Sequence, residues 1–527
     1  MRLLSKPAVA ASTLSTTNKS SKSISRRQAL VGMGVLGLGT FLPNTARAAW
    51  GDIPVGLWPF SRHYKILEVF LYGGLSAWET FHVRAPNAVD RYRGLNSEVA
   101  AAVWNAQCSG TPMPGKATQF FANATDQNGN NVHEVHLGPF TAPLWRPDIL
   151  GRMRMLTMQH ELEPHEAAIP YAMTGHRLGR PKFAGTGAAI QRRFQITNPG
   201  QTAPFAYVCV PGVYGFPTDN ILAASATGVH GGDAKPLTLR VGQGSQEVID
   251  QLLRTDVTPD MDQLLNVYRA EYKQRLRWQG TGTPLRSKGF SAYDASSSSV
   301  QGSATLRSLL ATPSFNLRQD MNCSINSAEL KNNQPGTEIR LAAHLLTRPM
   351  NGARYVCAID SGLEEASGGG GYDTHSENIP TLGRNLWNTL STLKDVIQDP
   401  TLPVDPNKIS LDDTLIVLST EFGRTPAPGG GQGRDHHPGG YLNILIGGPV
   451  GVNSNGRKLV GNLNDASGYA NPNNVYSATD LRAALLLAAG VFPLNPDSFA
   501  IGELTGTLGA ADETSSAALL RQEIFGV

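Results

Sequence analysis

Residues 414–437 read T-L-I-V-L-S-T-E-F-G-R-T-P-A-P-G-G-G-Q-G-R-D-H-H. The apolar run 414–418 reads as a buried strand and leads straight into Glu421. A glycine-rich loop then delivers Asp435, His436 and His437. Upstream, G-G-Y-D-T-H places Asp373 and His375 after another apolar run and a glycine-rich insert. Apolar strands punctuated by glycine and followed by helical patterns predict a mostly parallel sheet with crossover helices, an α/β fold. In such sheets ligands gather beyond the carboxyl ends of the strands. Carboxylates and imidazoles delivered there are what a divalent-metal or acid–base site requires.

The same pattern extends outward in both directions. Residues 65–72 form a buried strand ending at Gly73-Gly74, 153–158 a short strand, and 166–174 a helix closing at Gly175. Residues 205–210 read as a further strand. Residues 87–135 read as a polar insert with little periodicity. From 246 to 278 the period turns helical, a Ser-rich stretch follows, and 338–347 is helical again, so about 245–350 reads as a mostly helical insertion on the α/β body. Strands are expected at 354–359, 414–420 and 441–446, with a helix over 379–396. Ser477-Ala478-Thr479-Asp480 resembles a capping box opening the helix 481–489, which Gly490 stops.

The formal charge of +3 over 527 residues is set by the amino terminus. Seven Lys/Arg and no acid fall within residues 1–48, so the remainder carries 38 basic against 42 acidic groups. A nucleic-acid binder would show a basic patch, and none is visible there. Arg26-Arg27 ahead of a mildly apolar run over 29–42, with Ala46-Arg47-Ala48 after it, reads as a twin-arginine signal over 1–48. That implies passage through the twin-arginine translocase and a periplasmic or secreted mature chain, 49–527. The run is shorter than the roughly 20 residues of a membrane span, and no later window approaches one, so no mature transmembrane segment is expected. Export permits disulfides. Cys108 with Cys209 and Cys323 with Cys357 are the pairings considered, between which the spacing does not choose.

The candidate chemistry rests on Asp373, His375, Glu421, Asp435, His436 and His437, with Glu79 beyond the first strand as either a metal ligand or a solvated acid. Zinc, manganese, calcium or magnesium would accept such mixed ligands. The competing reading is a hydrogen-bonded network that stiffens glycine-rich loops, with Arg424 or Arg434 paired to a carboxylate. His165 opens a helix, where the positive end of the dipole favours anions, so it reads as nucleophile, metal ligand, anion contact or cap. Gly73-Gly74-Leu75-Ser76 could bring backbone amides up to an anion. His133 and His136 read as surface residues on a loop or edge strand.

Taken together, these anchors resemble the domain-of-unknown-function 1501 family of exported bacterial proteins. The resemblance rests on Gly73-Gly74-Leu75-Ser76 with Glu79-Thr80-Phe81, His165 with Met173-Thr174-Gly175, Gly371 to His375, and Glu421 to Pro426 followed by Gly433-Arg434-Asp435-His436. That family is similar to the alkaline phosphatase and sulfatase superfamily, which implies the fold, a divalent metal and a small anionic ester substrate. On the sulfatase pattern His165 stands at the nucleophile position, nine before Thr174. The first strand ends in Gly73-Gly74 where that pattern has a metal-binding Asp. Glu421-Phe422 replaces an Asp-His or Asp-Asn pair.

The resulting expectation is an exported, metal-dependent hydrolase of phosphate or sulfate esters. His165 is then nucleophile or anion contact, and Glu79, Asp373, His375, Glu421, Asp435 and His436 hold the metal. The alternatives are a non-catalytic binding or assembly module on the same fold, or a carbohydrate-modifying enzyme using a carboxylate pair.

Overall fold

The computed structural model describes residues 60, 62–84, 119–125, 130–177, 185–197, 207–210, 237–239, 259–278, 334–348, 352–363, 371–376, 378–429, 433–451, 458–472, 475–494, 498–506 and 510–527. All of them belong to the compact unit Ala49–Val527. The export signal expected at 1–48 lies outside them.

Thirteen strands are described: β1 Lys65–Leu71, β2 Val83–Arg84, β3 Gln119–Thr125, β4 Asn131–Leu137, β5 Met153–Met158, β6 Tyr207–Val210, β7 Leu237–Thr238, β8 Tyr355–Asp360, β9 Thr414–Ser419, β10 Gly423–Arg424, β11 His436–His437, β12 Tyr441–Gly447 and β13 Leu459–Val460. Eight of them form the central sheet, in the order β13-β5-β12-β9-β1-β8-β6-β7. Every strand in it runs parallel to β1 except β12, which is antiparallel to both its neighbours. The fold is therefore α/β with a mostly parallel central sheet. The carboxyl ends of β1, β5, β8 and β9 and the amino end of β12 consequently share one edge, where loops can converge.

Helices cover both faces. α1 is His165–Thr174, α2 Thr186–Thr197, α3 Pro259–Trp278, α4 Gln334–Thr347, α5 Asn378–Val396, α6 Ala478–Ala488 and α7 Glu513–Leu520. Leu67, Val69 and Leu71 of β1 pack with Leu345 of α4 and with Leu382, Leu386 and Leu390 of α5. Ile66 and Phe70 face the other way, onto Ile169 of α1, Ile190 of α2 and Leu485 of α6. Burial on both faces is what produces uninterrupted apolar strands instead of alternating ones. Each such side chain contributes about 1.5–3 kcal/mol.

Two expectations change. Part of the insert read as irregular is a hairpin: β3 and β4 pair antiparallel, and β2 extends them into a three-stranded sheet. Its period was hidden because a bulge between Phe120 and Ala122 breaks the alternation. Within the expected helical insertion, α3 and α4 are the described parts. The apolar side of α4 (Ile339, Leu341, Leu345 and Leu346) is buried in the sheet core, so α4 belongs to the α/β body.

A charged residue sits at the centre of strand β1. Glu68, in the middle of β1 between Cys357 and Val417, is fully buried. Arg482 of α6 grips it with two hydrogen bonds of 2.6 Å. Ser419 and Tyr355 donate to the same carboxylate, and Arg482 Nε donates at 2.6 Å to the Ala172 carbonyl of α1. Burial alone would raise the Glu68 pKa, but Arg482, Ser419 and Tyr355 outweigh it and hold it below the usual carboxylate range.

Cys357 is buried within β8 and forms no disulfide, so the Cys323–Cys357 bridge is not formed. Cys323 lies outside the described residues. Cys108 and the side chain of Cys209 lie outside the described residues. Among the described residues, no helix is long and apolar enough to cross a membrane.

Candidate metal centre

Asp373 is the hub of the site. It sits just beyond the loop leaving β8, and only 3% of its side chain is accessible. Three imidazoles turn their Nε2 atoms toward it: His375 at 3.1 Å and His436 at 3.2 Å from Oδ1, and His165 at 3.6 Å from Oδ2. His375 and His436 are also 3.2 Å apart through their Nε2 atoms. The buried Arg424 guanidinium donates to Asp373 Oδ1 as well. Burial would raise the Asp373 pKa, yet His165, His436 and Arg424 together hold it far below the ordinary carboxylate range.

Each imidazole arrives by a different route. His165 is the first residue of α1, placed there by the extended Pro164. Its Nδ1 lies 3.0 Å from Glu421 Oε1. Glu421 is fully buried at the end of β9, and the same oxygen accepts the Gly73 amide at 2.7 Å. Burial opposes a charge on His165, but the neighbouring carboxylates of Asp373 and Glu421 outweigh it and raise its pKa to about 9. His436 belongs to the small hairpin of β10 and β11. His375 is the most open of the three, and its Nδ1 is 3.4 Å from Asp435 Oδ1.

Two glycines make this convergence sterically feasible. Gly73 has φ +111°, and a Cβ there would fall on the Asp373 amide nitrogen. A Cβ on Gly433 would collide with the His375 carbonyl. The second link of the glycine-rich loop therefore exists to let two backbones touch.

Phe422 is fully buried and packs against the rings of His165 and His436, with centroids 4.9 and 4.4 Å away. It serves as an apolar wall that fixes both ring planes. His160 was missed by sequence reading: its Nε2 lies 2.6 Å from the Glu421 carbonyl and steadies the strand end from behind. Its distance from any motif gave no signal.

Other expected residues go elsewhere. Glu79 is buried but stands outside the imidazole cluster, because Arg434 and Ser76 take its two oxygens. Arg434 in turn donates to the Thr425 and Pro426 carbonyls at 2.7 and 2.6 Å. The amides of Gly73 and Leu75, expected to approach an anion, are already bonded to Glu421 and to Thr420 Oγ1. His437 turns away from the cluster, packing against Tyr469.

The donor set fits a divalent ion. His165, Asp373 and His436 each offer a ligand atom, all within 4.8 Å of one another. His165 Nε2 is buried with no hydrogen-bond partner. A buried nitrogen left unpaired costs about 1–3 kcal/mol, which a ligated cation would relieve. Behind His165 and His375 stand Glu421 and Asp435, in the arrangement by which carboxylates fix the tautomer and orientation of metal-binding imidazoles.

Among curated proteins and among solved structures nothing matches this chain. One family model, described as "Protein of unknown function (DUF1501)", matches residues 64–495 and so takes in every residue of the imidazole cluster. The chain belongs to the DUF1501 family.

Proposed function

We propose that this chain is an exported, metal-dependent hydrolase of phosphate or sulfate esters on an alkaline phosphatase/sulfatase-like fold. The observation that carries the reading is the convergence of three histidine Nε2 atoms on Asp373. A mostly parallel sheet that carries these residues at its carboxyl edge, where α/β folds collect ligands, supports the reading.

In this reading His165, Asp373, His375 and His436 hold the ion. His165 is a ligand and not the nucleophile, because its Nδ1 is tied to Glu421 while its Nε2 faces Asp373. Three imidazoles and one carboxylate suit zinc or manganese better than calcium or magnesium, which prefer all-oxygen shells. A bound divalent ion supplies Lewis-acid charge that neutralises the oxyanion developing at phosphorus or sulfur. Arg424 and Arg434 are committed to Asp373 and Glu79, so neither is spare for the substrate. The open side of the cluster, at His375 and Asp435, is where an anionic ester would enter.

Elemental analysis of the purified mature chain, with turnover of aryl phosphates and aryl sulfates, tests the proposal. One divalent ion at the His165–His436 cluster and chelator-sensitive hydrolysis are expected. A chain with no ion there and no turnover of either ester ends the proposal. Glu421→Gln is expected to keep the fold but weaken metal affinity about 10–100-fold, the usual effect of losing an outer carboxylate. Titration with zinc measures it.

The pH response separates the proton from the metal. His165 is raised above its ordinary 6.5 to about 9. Its contribution to the stability of the metal-free chain is therefore complete below about pH 6.5 and lost as pH rises through about 9. Zinc needs the deprotonated ring, so its affinity should rise across the same window. Thermal unfolding with chelator and with zinc should show opposite slopes with pH.

A further inference from the structure

We propose that His82, His133 and Asp465 form a second divalent-metal site, structural in role, that clips the β2–β4 sheet to the loop after β13. The three residues come from segments far apart in the chain. His82 immediately precedes β2, His133 lies in β4, and Asp465 follows β13. One ring nitrogen of each histidine and one carboxylate oxygen of Asp465 lie within 4.8 Å of one another. Tetrahedral donors at about 2.0–2.1 Å from zinc stand roughly 3.4 Å apart, so a small inward movement closes the shell.

The second observation is the concentration of unpaired polar atoms at this one place. His82 is fully buried, and neither of its ring nitrogens makes a well-formed hydrogen bond. His133 Nε2 and Asp465 Oδ1 are likewise buried without a well-formed partner, while Asn462 makes a loose hydrogen bond to His82. Leaving each of them unpaired would cost about 1–3 kcal/mol. A single cation accepting lone pairs from the imidazoles and the carboxylate relieves several of these costs at once.

Arg84 donates to Asp465 Oδ2, which leaves Oδ1 without a bonded partner. That guanidinium also opposes a second cation. The site therefore favours a borderline ion held mainly by imidazole nitrogen, such as zinc, over oxygen-seeking calcium or magnesium. Nothing in this set is shared with the cluster around Asp373.

The test is the zinc content of the full mature chain after zinc loading and desalting, read by mass spectrometry. Wild type should carry two ions, His82→Ala and Asp465→Asn one each, and Asp373→Asn one. Cobalt(II) loading of Asp373→Asn should still give the visible absorption of a nitrogen-ligated ion. If His82→Ala does not fold, Asp465→Asn, on a partly exposed loop, gives the same reading. Equal zinc content in wild type, His82→Ala and Asp465→Asn overturns the second site, whatever Asp373→Asn shows. Loss of an ion in Asp465→Asn but not in Asp373→Asn supports the second site while removing the first.

Discussion

Arg482→Met is expected to lower the free energy of unfolding by about 3–5 kcal/mol, the cost of leaving a buried charge uncompensated. Glu68 would lose both 2.6 Å hydrogen bonds and keep only the Ser419 and Tyr355 hydroxyls in the centre of the sheet. The Ala172 carbonyl would lose its donor as well. Because Ala172 is in α1, the loss reaches the helix that presents His165. Denaturant unfolding followed by circular dichroism measures the change. The double variant Glu68→Gln/Arg482→Met removes the orphaned charge and should recover part of it. A single variant within about 0.5 kcal/mol of wild type would show that the pair is not what fixes α6 to the sheet.

The same pair sets an acid limit. Glu68 is held below the ordinary carboxylate pKa, so its contribution is full at neutral pH and is lost as pH falls through its depressed value. Wild type should lose stability as pH falls below the ordinary glutamate value of 4.5, whereas in the double variant that part of the acid dependence should vanish.

Asp373→Asn is the second large effect. The side chain keeps its shape but loses the charge that gathers His165, His375, His436 and Arg424. Metal affinity is expected to fall by more than the roughly 10–100-fold of an outer carboxylate, and any ester hydrolysis with it. Loss of the charge also leaves the buried Arg424 guanidinium without its carboxylate counter-charge, held only by neutral acceptors, so a drop in melting temperature should accompany it. Isothermal titration with zinc, beside a thermal scan, reads both. Unchanged zinc affinity in a folded variant would remove Asp373 from the ligand set.

Much of this was legible along the chain because it depends on local pattern. The runs at β1, β8, β9 and β12 are apolar on both faces, and only a sheet covered on both sides demands that. The capping box at Ser477 and Asp480 is present as expected, with Ser477 Oγ accepting from the Asp480 amide. The strand-end rule placed Asp373, Glu421 and His165 at one edge without any coordinates. The hairpin β3–β4 escaped because its bulge breaks the two-residue period.

Residue type and order thus determined an α/β chain, its family motifs and the chemical kinds gathered at one edge of its sheet. Only the tertiary structure decided which atom of each residue faces which. Glu421 reads in sequence as a metal ligand, yet it lies behind His165, whose other nitrogen it meets at 3.0 Å. Glu79 is drawn off by Arg434 and Ser76. His133, which looked like a surface residue, meets His82 and Asp465 across three remote segments. The physical reason is range. Periodicity and capping are set by neighbours in the chain, whereas hydrogen-bond direction and ligand convergence are set by groups that only folding brings within a few ångströms.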